Sequence, residues 1–196
     1  ILLRSANALA PDYAKELQQN GVPAWADTQG GFFGTTEVSL MLSLLRVVDN
    51  PVQDIPLLAV LMSPIYGFTP DDMTDIRLCL KNRPLYFAVR ERASQGDPRC
   101  EAFLKELERF RRLASTMPSD RFLEWLYDTT GYPAMAQTMK EGQLRLANLR
   151  LLLSYARKYE SSGYRGLAGF IRFIDRLEQQ NADLAPANSL SASANA

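Results

Sequence analysis

The sequence predicts a mainly α-helical protein: a multi-helix domain preceded by a small β-α-β fragment. Three observations carry this expectation. Downstream of Glu37 the apolar residues recur at helical spacing, as in Val38, Met41, Leu42, Leu45 and Val48. Helix-starting signals recur along the chain, at Thr69-Pro70, Asp97-Pro98 and Pro118-Ser119. Strand-like apolar runs, Ile1 to Arg4 and Val22 to Ala26, are confined to the N-terminal end.

Taken in order, Ile1 to Arg4 reads as a buried strand. Pro11 in a first turn, then Tyr13 and Leu17, mark a helix that Gly21 stops, and Val22 to Ala26 reads as a second strand. Two strands need others to cover them, so this end reads as a piece cut from a larger protein. Gly30-Gly31 then breaks the chain. The next helix carries Leu40, Leu44 and Val47 on a second apolar side, which predicts a central position. Asn50-Pro51 ends it. Asp54 is expected to cap a short apolar helix reaching Met62, and Ser63 to Phe68 form a turn. Thr69-Pro70-Asp71-Asp72 is the strongest helix start: Thr at the N-cap, Pro at the first position and a carboxylate at the third. Asp97-Pro98 opens a long helix with Phe103, Leu104, Leu107, Phe110 and Leu113 on one stripe. The alternating charges from Lys105 to Arg112 are expected to pair along it. Pro118-Ser119 opens a helix bearing Phe122, Trp125 and Leu126, stopped by Gly131. Leu144 to Tyr159 and Tyr164 to Gln180 are the last two, giving roughly seven helices with short connections. Asn188 to Ala196 is a polar tail.

Hydrophobic residues make up 46% of the 196, and charged residues 22%, which excludes a disordered chain. A domain of this length removes roughly two thirds of its unfolded surface from water. There is no His, which removes the commonest general base and the commonest metal ligand. Two cysteines are too few for a zinc site or a disulfide framework. Cys79, inside an amphipathic pattern, reads as small core filler. No G-x-x-x-x-G-K-[ST] loop and no G-x-S-x-G elbow occur. Asp71, Asp72 and Asp75 suit the first turn of a helix better than a metal site, because carboxylates there oppose the positive end of the dipole. No apolar stretch approaches the roughly 20 residues of a membrane span.

Charge is uneven. Residues 1–80 carry four Lys or Arg and nine Asp or Glu, whereas residues 81–196 carry eighteen and thirteen. The second part could offer a basic face to phosphate; a solvated helix surface is the plainer reading.

Several pieces, in order, resemble superfamily 1 DNA helicases of the UvrD/Rep type. They are Ile1-Leu2-Leu3-Arg4-Ser5, Gly21-Val22-Pro23, Gly30-Gly31-Phe32-Phe33, the helix from Glu37 to Asn50 and the Met62 to Phe68 turn. Arg145-Leu146-Ala147-Asn148-Leu149 and Tyr164-Arg165-Gly166-Leu167 follow. Asp49 to Pro56 and Ser63-Pro64-Ile65 are similar to the AddA (RexA) family, the A subunits of the bacterial helicase–nuclease. The resemblance implies a fragment of the RecA-like motor domain 2A over residues 1–30, a helical 2B-like domain over 31–181, and a tail, 182–196, returning toward 2A. It implies a bacterial cytoplasmic parent that uses ATP and Mg and works beside a B subunit on DNA, single strand and duplex junction alike. The ATP-binding and nuclease parts are expected outside this segment, which by itself is expected to be inactive and to hold no cofactor, metal or catalytic residue, away from any membrane.

The same resemblance implies nucleic-acid contacts. Arg4 and Ser5 would lie near the single-strand track, although Ala6 stands where relatives carry Asn. Gly67, with Tyr66 and Thr69, would stand where relatives grip duplex backbone with a Gly-Ile-Gly-like turn; here Phe68 and Thr69 replace the rest. Lys81, Arg83, Arg90 and Arg92 would contact duplex if the module engages DNA. Alternatively the module is a scaffold against the B subunit with little DNA contact, or a stand-alone helical interaction domain.

Overall fold

The computed structural model describes residues 13, 16, 17, 19–22 and 31–179. A 3-10 turn, Phe32–Gly34, leads into nine α-helices among the described residues. These are α1 (Thr36–Asp49), α2 (Asp54–Leu61), α3 (Pro70–Cys79), α4 (Leu85–Ser94), α5 (Pro98–Thr116), α6 (Ser119–Thr130), α7 (Tyr132–Thr138), α8 (Gly142–Ser161) and α9 (Leu167–Gln179). The mainly helical expectation holds. The expected strand Ile1 to Arg4, and Val22 to Ala26 beyond its first residue, lie outside the described residues.

Helix α1 is the hub. Val38, Met41, Leu44, Leu45 and Val47 are fully buried, and Leu40, Leu42 and Val48 nearly so. An apolar surface all round a helix must be covered on every side. Helices α2, α5, α8 and α9 supply that cover. On one side α2 to α5 pack together; on the other α6, α7 and α8 do the same. The two groups meet through α1 and through the α5–α6 contact.

Charge pairs pin both ends of this hub. At its first turn Glu37 is 3% exposed. Its carboxylate accepts from Arg145 Nη1 at 2.8 Å and from Asn148 Nδ2 at 2.7 Å, both on α8. Near its last turn Arg46 donates to Asp175 on α9 at 2.7 Å, with Glu178 at 3.8 Å. An acid at the start of a helix and a base at its end also complement the macrodipole.

The helix starts agree with the sequence at α3, α5 and α6. Thr69 and Asp72 form a reciprocal capping box, and Asp97 accepts from the Arg99 and Cys100 N–H groups. Helix α6 begins at Ser119, whose N–H donates to Glu160 on α8 at 2.6 Å, and ends at left-handed Gly131. Helices α4 and α7 are additional to the sequence expectation. Helix α4 has no cap of its own. Asp54, expected to cap α2, sits inside that helix and accepts from the Leu85 N–H at 2.7 Å instead. A cap supplied from a distant helix leaves no local signal. The pairs expected from Lys105 to Arg112 are absent among the described ion pairs; Glu106 accepts from Tyr66 at 2.8 Å and Arg109 lies 5.1 Å over Trp125. Cys79 is half-exposed rather than core filler, and Cys100 is the buried thiol, its pKa pushed up to about 12 by burial and the nearby Asp97 charge.

Removing a buried partner leaves the other charge uncompensated, which costs about 3 kcal/mol or more. Glu37→Ala, followed by urea unfolding, is expected to show a loss of that size. A second expectation concerns acid. Backbone N–H donation at the caps, helped by Arg99 at Asp72 and by Arg92 at Asp97, holds both carboxyls below their ordinary value of 3.8. A depressed pKa adds stability above the unfolded value, and that stability is lost as pH falls through the folded value. Asp72→Asn and Asp97→Asn should therefore flatten the fall of Tm below about pH 4 while lowering Tm at neutral pH.

Candidate nucleic-acid interface

The Ser63 to Thr69 turn is built from its own backbone. Gly67 N–H donates to the Ser63 carbonyl at 2.7 Å and Phe68 N–H to the Leu61 carbonyl at 3.0 Å. Thr69 N–H donates to Asp72 at 2.7 Å. Gly67 has φ +63, a left-handed conformation in which a side chain is strained. Phe68 turns inward and is 5% exposed. Tyr66 packs edge-on against Phe103, centroids 4.9 Å apart, and its hydroxyl is tied to Glu106. Burial, with the Glu106 charge and hydrogen bond, pushes the Tyr66 hydroxyl well above its ordinary range, so it stays a donor.

Arg99, on the first turn of α5, locks this turn from outside. Its guanidinium lies 4.1 Å over the Phe68 ring, donates to the Gly67 carbonyl at 2.9 Å and pairs with Asp72 at 2.9 Å. Sequence reasoning missed this residue. Its only local signal is a place just after an N-cap, which says nothing of a turn some thirty residues earlier. With the Ser63, Ile65 and Tyr66 N–H groups also bonded to Val60 and Ser63, every N–H of the turn is already donated within the protein. What the turn offers outward is the Thr69 and Arg99 surface, with Asp71 and Asp75 exposed beside it.

Lys81 and Arg83 lie at the other end of α3. Ten residues at 1.5 Å each put about 15 Å between them and the turn. The structure therefore forms two groups, not one: Tyr66, Gly67 and Thr69 at the start of α3, and Lys81 and Arg83 past its end. The loop holding the second group is fixed by Arg77, which donates to the Arg83 carbonyl at 2.7 Å and to Asp54 at 3.2 Å. The Arg83 guanidinium lies 5.9 Å from the Phe87 centroid, and that of Arg90 lies 6.0 Å from Tyr86. Arg83, Phe87 and Arg90 share a shallow groove of about 390 Å³ with Leu80, Glu91 and Ser94. Lys81, Arg83 and Arg90 are exposed and stand outside every ion pair among the described residues. Arg92 does not: it pairs with Asp97 at 3.2 Å. Arg4 and Ser5 lie outside the described residues.

A second surface feature borders the same loop. Helix α2 is apolar on both sides: Leu57, Val60 and Leu61 face the core, whereas Ile55 is 84% exposed. Ile55, Leu58, Met73, Leu78 and Leu85 line a groove of about 580 Å³, rimmed by Asp54, Arg77 and Lys81. Among the described residues no group of three Cys, Asp or Glu side chains converges as a metal site, and no helix is long and apolar enough to cross a membrane.

Comparison with known proteins gives the setting of these features. No family model matches the chain. Curated relatives do. The A subunit of the ATP-dependent helicase/nuclease of Acetivibrio thermocellus is 44% identical over 97% of this chain. The same protein of Thermoanaerobacter sp. is 43% identical over 95% of it, and that of Clostridioides difficile 37% identical over all of it. The chain spans only 15 to 17% of the length of these relatives. Along essentially its whole length, then, the chain is a relative of one stretch of the A subunits of ATP-dependent helicase/nucleases, the AddA family that its sequence motifs resemble.

Proposed function

We propose that this segment is the accessory, 2B-like region of an ATP-dependent DNA helicase/nuclease subunit that works in double-strand-break repair and recombination. In this reading residues 1–30 belong to the motor domain 2A, residues 31–181 form the 2B-like domain, and residues 182–196 return toward 2A. The parent protein binds ATP and Mg outside the segment, and the segment helps to engage DNA and to orient the motor domains. The observation that carries the reading is the high identity to helicase/nuclease subunits over one sixth of their length. A subsidiary observation supports DNA contact: Arg83 and Arg90 line one groove, Lys81 stands in the same loop as Arg83, and all three are exposed outside every described ion pair. A polyanion neutralised by such cations releases its own counterions, which favours the contact. Because the turn at Tyr66, Gly67 and Thr69 has spent its N–H groups internally, the weight of the contact falls on the three cations.

A second reading is favoured by the apolar groove beside them. The relatives are themselves subunits of a larger enzyme, and a B subunit of the helicase–nuclease would cover Ile55, Leu58 and Leu78 if the segment is a scaffold. Exposed contiguous apolar surface of this kind marks protein contacts.

A forked-DNA binding titration at two salt concentrations separates the readings. DNA engagement predicts affinity that falls steeply with salt. Replacing Lys81, Arg83 and Arg90 together by Gln is then expected to reduce the slope of log K against log salt by about three. A scaffold predicts an unchanged slope in that variant, and loss of B-subunit binding in Ile55→Asp. An unchanged slope would remove the DNA reading of this edge.

A further inference from the structure

The corner between α8 and α9 holds an arrangement that neither reading above uses. Tyr164 is 64% exposed, the most exposed aromatic among the described residues. It does not hang free. Its ring stacks on Tyr159, centroids 5.6 Å apart and planes 19° from parallel. Tyr159 is itself buried, 5.7 Å from Phe170 and 5.6 Å from Phe173. Its hydroxyl donates to the Arg165 carbonyl at 3.3 Å. That hydroxyl fills the place where a Cβ on Gly169 would stand, so the close approach of the two helices at this point requires glycine. Gly163 and Gly166, at φ +84 and +87, bracket Tyr164 and Arg165 in a tight connection. The result is a four-ring cluster whose outermost ring turns one face inward and presents the rest to solvent.

Bases outnumber acids at this corner, where the Glu160 carboxylate also acts on the Tyr159 hydroxyl. Lys158, Arg165, Arg172 and Arg176 are all exposed, and each stands outside every ion pair among the described residues. Arg172 and Arg176 are four apart, hence on one face of α9. Arg172 adjoins Phe173, whose ring lies 5.6 Å from Tyr159, and Arg176 stands one turn further along α9, so both belong to this corner. The carboxylates close by are committed elsewhere: Glu160 accepts from the Ser119 N–H, and Asp175 and Glu178 face Arg46. A surface helix with nothing to bind normally intersperses both signs. Here Glu160 and Asp175 are half-buried and bound within the fold, Glu178 stays exposed beside Arg46, and the four bases stand outside the described ion pairs.

An exposed aromatic face amid uncompensated guanidinium groups matches one ligand chemistry. Nucleobases stack on such faces irrespective of sequence, and the adjoining phosphates take the cations. In a duplex the bases are already stacked on one another and separating a step costs a few kcal/mol, so the ring favours an unpaired strand. We propose that the α8–α9 corner is a contact for single-stranded nucleic acid, in which Tyr164 stacks on a base and Arg165, Arg172 and Arg176 meet the flanking phosphates. The assignment rests on the DNA-engaging reading and adds a strand-specific site to it, on a different edge from Lys81, Arg83 and Arg90.

The test uses the full-length polypeptide containing this segment and a single-stranded oligodeoxythymidine carrying 5-iododeoxyuridine, which cross-links to a stacked aromatic ring on irradiation. The cross-link is expected at Tyr164. Tyr164→Ala should abolish it and weaken salt-sensitive binding of the oligonucleotide about tenfold. Tyr164→Phe should keep both, because the ring is retained. Arg172→Gln with Arg176→Gln should reduce the salt slope by about 1.4, since each phosphate contact on a single strand contributes about 0.7. All three variants change exposed side chains and should melt close to the parent. Cross-linking elsewhere with unchanged affinity in Tyr164→Ala overturns the proposal, as does a protein partner that shields Tyr164 from the probe. If Tyr164→Ala binds normally while the triple Gln variant of Lys81, Arg83 and Arg90 loses its salt slope on forked DNA, this site alone fails. If no variant alters any DNA binding, the DNA-engaging reading fails with it.

Discussion

A carboxylate cannot be taken out of water without a partner, and Glu37 is almost wholly out of water. The fold is arranged around that requirement. Arg145 and Asn148 can reach both oxygens only if α8 lies against the first turn of α1 in one register. Arg145 is held in turn by its Nε, which donates to the Lys140 carbonyl just before α8 at 2.9 Å. Apolar packing along α1 is tolerant of small slips, since one methyl group replaces another at similar cost. The ion pair is not tolerant, because a shift of one turn would strand a buried charge. The pair therefore selects an arrangement that burial alone leaves open.

From this anchor the two flanking groups acquire their places. Helix α8 carries α6 with it: the Tyr127 hydroxyl donates to the Leu149 carbonyl at 2.9 Å, and Arg157 pairs with Glu124 at 3.0 Å. On the other side, Asp54 fastens α2 to the start of α4, and Arg77 ties the intervening loop to Asp54. Polar groups thus act as register devices between helices whose apolar faces supply the bulk of the attraction. The consequence for function is a division of the surface. Glu37, Asp54, Asp97 and Asp175 are held in structural contacts, Asp71 and Asp75 stay exposed, and Lys81, Arg83 and Arg90, like Arg165, Arg172 and Arg176, face solvent outside the described ion pairs.

The candidate interface is legible in the sequence only in part. Lys81 and Arg83 stand out because bases grow more frequent after residue 80, and the turn because Gly67 closes a Met62 to Tyr66 run with a family-like order. That the two groups sit at opposite ends of α3 follows from helix length alone. The role of Arg99 does not: its guanidinium reaches a turn some thirty residues upstream, and no periodicity encodes that reach. Charge counting places Arg92 among the free cations because it does not see Asp97 as a partner. Apolar spacing starts the last helix at Tyr164; the true start at Leu167 leaves that tyrosine on a loop, stacked and exposed.

Local pattern settles what a segment can become. The mainly helical class, the central place of α1 and the starts of α3, α5 and α6 all follow from interactions within a few residues: side-chain caps, proline's fixed φ and apolar spacing. Family likeness is also a property of the order of residues, and the motifs suffice to indicate it. Only the folded chain decides which distant groups satisfy one another. Helix α4 takes its cap from Asp54 across space, the expected pairs of α5 give way to Tyr66 and Trp125, and Glu37 finds its partners more than a hundred residues away. Such contacts depend on how helices cross, and a one-dimensional pattern carries no information about crossing.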